Sequence, residues 1–159
     1  MRTSTKTSLL LLTLALAACD GTRTGVAAAA SAKIDSLNAR TAHAYRSADP
    51  RAYGALYADS AVFEWPAFNS ARGPAGLEAM ARDNWRTLRD MDLRLHVAER
   101  RIAPDHATEF GAFEQDYTDS AGKRFTEYGR YVTLLVPGED GDWRIQRFFG
   151  FEDSTRARR

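Results

Sequence analysis

From Asp92 onward the chain changes period. Residues 92–102, 107–117, 125–136 and 143–151 read as four long strands. Ser120-Ala121-Gly122-Lys123 and Gly138-Glu139-Asp140-Gly141-Asp142 supply turns between them, and Pro104-Asp105 separates the first two. Strands joined by turns this short must run antiparallel. Gly111 and Gly129 fall inside adjacent strands, where glycine marks a bulge, a bend or a close approach. The sheet is therefore expected to curve strongly.

What precedes the strands is helical. Over residues 27–47, Ile34, Leu37, Thr41, Ala44 and Tyr45 recur at helical spacing. Asp49-Pro50 ends that run and starts another: Asp49 can cap a helix and Pro50 suits its first turn. This short second helix is expected to pass through Leu56 and Tyr57 and end near Asp59. Residues 61–64 lean to strand, and 69–74 are rich in turn formers. A third helix is expected over residues 75–88, with Leu77, Met80, Trp85 and Leu88 on its apolar face. Helices followed by antiparallel strands give an α+β fold, a curved sheet wrapped around three helices.

The N-terminus carries different information. Arg2 and Lys6 precede an apolar run over residues 9–18, which is far shorter than the ~20 residues that span a bilayer. Leu16-Ala17-Ala18-Cys19 closes it and resembles the bacterial lipobox, which implies cleavage before Cys19 and lipidation of its thiol. Cys19 is the single cysteine among 159 residues, so lipidation also explains an unpaired thiol in an exported chain. The expected layout is a signal peptide at 1–18 and lipidated Cys19 with a tether at 19–31. One domain at 32–153 and a basic tail at 154–159 follow. The protein would then sit in the cell envelope, anchored by lipid and facing the periplasm or exterior.

Composition narrows the function. A net charge of +1 provides no field to attract nucleic acid, and the Arg156, Arg158 and Arg159 cluster reads as solvated. With 44% hydrophobic and 11% aromatic residues the chain can build one ordinary core. His43, His96 and His106 lack ligand-like spacing with Asp or Glu, and there is no glycine-rich phosphate loop or nucleophile elbow. Neither a metal nor a cofactor is expected.

Several motifs together suggest a family. Tyr57-Ala58-Asp59-Ser60-Ala61, Val62-Phe63-Glu64-Trp65-Pro66, the Arg72-Gly73-Pro74 helix start, Gly129-Arg130-Tyr131 and Asp140-Gly141-Asp142-Trp143-Arg144-Ile145 appear in order. From Ala32 to Phe151 the chain resembles the nuclear transport factor 2-like superfamily, which includes ketosteroid isomerases and SnoaL-like cyclases. The resemblance implies a cone-shaped domain enclosing a pocket and a homodimer through the outer sheet face. It also permits a test residue by residue. The isomerase base, an Asp before Pro, would fall on Trp65, and the oxyanion-donor Tyr of the first helix near Thr41. An indole accepts no proton, so the usual base is missing.

Other groups remain. Ala107, Glu109, Gly111, Phe113, Gln115 and Tyr117 share one strand face, small at one end and aromatic at the other, as a tapering interior requires. Glu109 on that face is a candidate general base, or else sits at the rim or pairs with Arg130 across the hairpin. Glu64 is a second candidate, needing a bulge to enter the pocket. Tyr45, Trp65, Trp85, Phe113, Arg130 and Tyr131 are expected in the pocket wall, although a one-residue slip in register exchanges Arg130 for Tyr131. On the last strand, Trp143, Ile145, Arg147, Phe149 and Phe151 share one face and Phe148 lies on the other, so both faces need cover. Two functions follow: a lipid-anchored module that binds a small apolar ligand or a partner, or a cofactor-free SnoaL-like isomerase, cyclase or hydrolase using a pocket carboxylate.

Overall fold

In the computed structural model, residues 10–66 and 70–158 are described, with side chains from Gly25 onward. The signal segment's first residues and the side chain of Cys19 lie outside the described residues. Helix α1 spans Leu10–Arg46, so the segment read as a tether is helical. Its inward face is the expected one: Ile34, Leu37, Thr41, Ala44 and Tyr45 are all buried. Asp49 caps α2 (Pro50–Gly54), its carboxylate accepting from Ala52 N at 2.9 Å. That helix stops well short of Asp59, because Tyr57 already begins β1 (Tyr57–Glu64). A two-residue strand β2 (Ala71–Arg72) leads into α3 (Gly73–Trp85), with Pro74 in its first turn.

The four expected strands are all present and longer than their patterns suggested: β3 (Arg89–Ile102), β4 (Ala107–Thr118), β5 (Arg124–Pro137) and β6 (Trp143–Ala157). Strand β6 runs through the residues read as a basic tail. Thr126 pairs with Arg156 there, and Arg158 makes a 3.1 Å ion pair with Asp116. The six strands lie in the order β2-β1-β6-β5-β4-β3. β3 to β6 are antiparallel as expected, but β1 lies parallel to β6, so the sheet is mixed. Helix α1 packs on β3, while α2 and α3 pack on each other and α3 on β1. The core forms where these helices meet the sheet's concave face, around Ile34, Leu37, Leu77, Ala107 and Leu135.

The two mid-strand glycines mark close approaches. Gly111 stands opposite Tyr131 and Gly129 opposite Phe113, and each ring lies over its glycine. A Cβ at Gly111 would meet Tyr131 at 2.6 Å, and one at Gly129 would meet Phe113 at 2.3 Å. Aromatic rings folded onto facing glycines bend the sheet and fill its concave side at once.

Two irregularities redirect side chains. Between β3 and β4 the register shifts after Val97 paired with Gly111, so that Glu99 faces Phe110 and Arg100 faces Glu109. A bulge reverses the inside–outside phase, and this one turns Arg100 inward. In β6 the register shifts between Leu134–Arg147 and Leu135–Ile145. Ile145 and Phe148 therefore both reach the interior, which strict alternation forbids.

Candidate functional site

The concave face of the sheet and the helices above it enclose a cavity of about 350 Å³, within the range of small-molecule sites. One wall is a slab of parallel rings. Phe63 and Phe148 stack with centroids 4.9 Å apart and planes 2° apart, and Trp65 extends the stack at 6.3 Å from Phe63. The slab exists because β1 and β6 pair in parallel with Phe63 opposite Phe148. Tyr131 continues it at 6.1 Å from Phe148, and Phe113 leans on Trp65 at 5.5 Å. The helical side supplies Tyr45 and Trp85, which meet edge to face at 5.3 Å.

Five of the six expected wall residues thus come together: Tyr45, Trp65, Trp85, Phe113 and Tyr131. Arg130 does not. The register places it outside, paired through Nη2 with Asp153 at 2.7 Å, and gives the inward place to Tyr131. Thr41 lines the cavity where the isomerase comparison would put a Tyr, its hydroxyl donating to Leu37 O at 3.0 Å.

The two candidate carboxylates also separate. Glu64 follows Phe63, so alternation turns it to the outer face, where it lies 3.6 Å from Arg147. Glu109 does point inward, but it sits behind the cavity wall and is 1% exposed. Its oxygens are filled by the chain's own donors. Asn38 Nδ2 and Tyr131 Oη donate to Oε1 at 2.9 and 2.8 Å. Arg100 donates to Oε2 from Nε at 2.8 Å and Nη2 at 2.6 Å. The partner is Arg100, not the Arg130 weighed from the sequence. Arg100 in turn donates to Ser31 Oγ at 2.7 Å and pairs with Asp35 at 2.8 Å, fastening α1 to the sheet. Burial and the neighbouring Glu109 push the Tyr131 hydroxyl pKa far above its ordinary value, which keeps it a donor.

A third carboxylate was missed. Glu127 is buried and lines the cavity directly. Burial pushes its pKa up; the hydrogen bond with Gln115 acts the other way, and the nearby Glu152 carboxylate adds to the rise. The signal was available in outline: Glu127, Gly129, Tyr131, Thr133 and Leu135 alternate along β5, so placing Tyr131 inside also places Glu127 inside. Asn38, Asn84 and Gln115 complete the polar lining. Among the described residues, no three of His, Cys, Asp and Glu come together to hold a metal ion. Chemically, the cavity offers flat apolar stacking surface, a few neutral hydrogen-bonding groups and one buried carboxylate.

Known proteins share this architecture. A ketosteroid isomerase-like protein from Erwinia carotovora atroseptica superposes with a TM-score of 0.69 at 24% identity, over 77% of this chain and 95% of its own. Hexachlorocyclohexane dehydrochlorinase type 3 from Novosphingobium barchaimii gives 0.71 at 13% identity, covering 82% and 90%. A domain of unknown function with a cystatin-like fold from Nostoc punctiforme gives 0.66 at 14% identity, covering 79% and 78%. At these identities the likeness establishes the cone fold. No curated protein is similar to the chain in sequence. Residues 26–148, spanning both the helices and the sheet, match the SnoaL-like domain. The chain belongs to the SnoaL-like domain family of the nuclear transport factor 2-like superfamily.

Proposed function

We propose that this protein is a binding module whose cone holds a small, flat, largely apolar molecule, and that a lipid on Cys19 anchors it in the cell envelope. The observation that carries the reading is the slab of Phe63, Trp65 and Phe148, an uninterrupted aromatic wall in a cavity of ligand size. Parallel rings stack on a flat ligand with little entropic loss, because their own side chains are already fixed. Trp65 occupies the place of the isomerase base, which favours holding a ligand over moving its protons there. Native mass spectrometry of the full chain, purified gently from its own envelope fraction, tests this. A co-purifying small molecule that is lost in Trp65→Ala is the expected result; an empty cavity that also fails to take up flat aromatic probes would sink it.

One observation favours a second reading, cofactor-free acid–base catalysis. Glu127 is a buried carboxylate open to the cavity with a raised pKa, as a general base or acid requires. Fold relatives that include a dehydrochlorinase and an isomerase-like protein agree with such chemistry without requiring it. Turnover of an isomerisation, dehydration or elimination substrate that disappears in Glu127→Gln would support it. Turnover that persists in that variant would exclude Glu127 as the base.

A further inference from the structure

The protein buries two carboxylates on the inner face of its sheet and treats them in opposite ways. Glu109 faces a guanidinium, an amide and a phenol, all supplied by the chain. Glu127, 8% exposed, lies on the neighbouring strand toward the other end of the sheet, opposite Gln115. Gln115 provides a hydrogen bond from a neutral amide, while the charged neighbour that acts on Glu127 is another carboxylate, Glu152. Among the described residues lining the cavity there is no Lys, Arg or His.

A carboxylate removed from water needs a counter-charge or several donors to offset its lost hydration. The chain meets that need in full at Glu109 and in small part at Glu127. The missing element at Glu127 is a cation, and the surroundings suit one. Tyr45 and Tyr117 lie near enough to Glu127 to feel its charge, and ring faces attract cations as a carboxylate does. An anionic ligand would meet the Glu127 carboxylate and ring faces with no lining cation to offset them. Phe113 links the two ends of the site: its ring lies over Gly129, two residues along β5 from Glu127, and touches Trp65.

We propose that the ligand is a flat aromatic molecule carrying a protonated amine, its ring against the slab of Phe63, Trp65 and Phe148 and its ammonium on Glu127. This rests on the reading of the cavity as a binding site and adds the ligand's charge to it.

Three probes that share one ring separate the two claims. Isothermal titration of the full chain at neutral pH compares 2-naphthylmethylamine, 2-naphthylmethanol and 2-naphthoate. The amine is expected to bind about tenfold or more tighter than the carboxylate, with the alcohol between them, because hydrogen bonds to charged groups are the stronger kind. Glu127→Gln should bring amine and alcohol to within about twofold of each other, and Glu127→Asp should keep the amine ahead. Equal binding of all three, or an amine preference that survives Glu127→Gln, overturns the charge assignment and leaves the cavity reading intact. Failure of all three to bind, the uncharged alcohol included, overturns both. The ranking is read on the unaltered chain, so it stands even where a variant folds poorly.

Discussion

Tyr131 donates its phenolic hydrogen to Glu109 at 2.8 Å, so the floor of the cavity is tied to an ion pair that lies behind the cavity lining. Glu109 thereby positions the ring that closes the aromatic slab, while Arg100 carries the same network to α1.

Glu109→Gln should destabilise the fold by roughly 3 kcal/mol, near the low end for a broken buried pair, because Asp35 stays beside Arg100. Tyr131→Phe should cost about 1 kcal/mol, the loss of one hydrogen bond. Urea unfolding of the two variants reads both figures. A loss below about 1 kcal/mol in Glu109→Gln would show that the network is not an anchor.

Glu127→Gln should act in the opposite direction at neutral pH. Burial, with Glu152 adding, raises the folded-state pKa of Glu127 above its ordinary value of 4.5. The folded chain therefore holds that proton more tightly than the unfolded chain. The stabilisation this gives is complete in acid and is lost as pH rises through the folded pKa. Tyr45, Tyr117 and Gln115 face the same carboxylate and supply no positive charge against it. Thermal melts should show the Gln variant more stable at pH 7, with the advantage closing below about pH 4.5. A variant that is less stable at pH 7 contradicts this account.

Gly129→Ala should destabilise by about 3 kcal/mol, since overpacking here has no soft neighbour to yield. The new Cβ would lie 2.3 Å from Phe113 and 2.2 Å from the carbonyl oxygen of Phe151. Trimming the ring in Gly129→Ala/Phe113→Leu should recover part of the loss. If the double variant is no better than the sum of the singles, ring contact is not the cause.

On the outer face Phe110 and Phe151 remain exposed, with Val97 beside them at the sheet edge. Apolar side chains clustered on a sheet face suit an interface, and a second copy of the chain is the proposed cover. Light scattering after gel filtration should give twice the monomer mass, and Phe110→Glu should halve it. A wild-type chain that is monomeric at micromolar concentration refutes the proposal.

The proposed anchor has a direct check. Cys19→Ser should move the protein from the membrane fraction to the soluble fraction of the envelope, because acyl chains on that thiol would hold it. Equal partitioning of the two forms would rule lipidation out.

Much of this fold was legible because β4 is patterned cleanly: its small-to-aromatic series from Ala107 to Tyr117 faces inward just as alternation implies. β5 is not so patterned. Phe125, Tyr128, Tyr131, Val132, Leu134 and Leu135 put large side chains on both faces, so the sequence alone did not separate Arg130 from Tyr131 or bring Glu127 into view. The hairpin at Asp119–Lys123 decides the matter by pairing Asp116 with Thr126. Arg100 was hidden for another reason. Strict alternation from Leu93 and Leu95 would turn it outward, and the bulge after Val97 reverses that phase. Phe148 with Ile145 is the same case on β6. Periodicity reads faces only as far as the next bulge.

The parallel pairing of β1 with β6 has a consequence in time. Leu56 O accepts from Ile145 N at 2.9 Å, and Phe63 stacks on Phe148, across most of the folded chain. The entropic loss of closing so long a loop comes before any of these contacts is gained. During synthesis from the N-terminus the helices and β1 emerge first, with their apolar faces waiting for a strand not yet made. The cavity therefore cannot close before β6 arrives, because that strand joins β1 to the rest of the sheet and carries Phe148, so a chain halted before Trp143 should have helices and hairpins but no enclosed space.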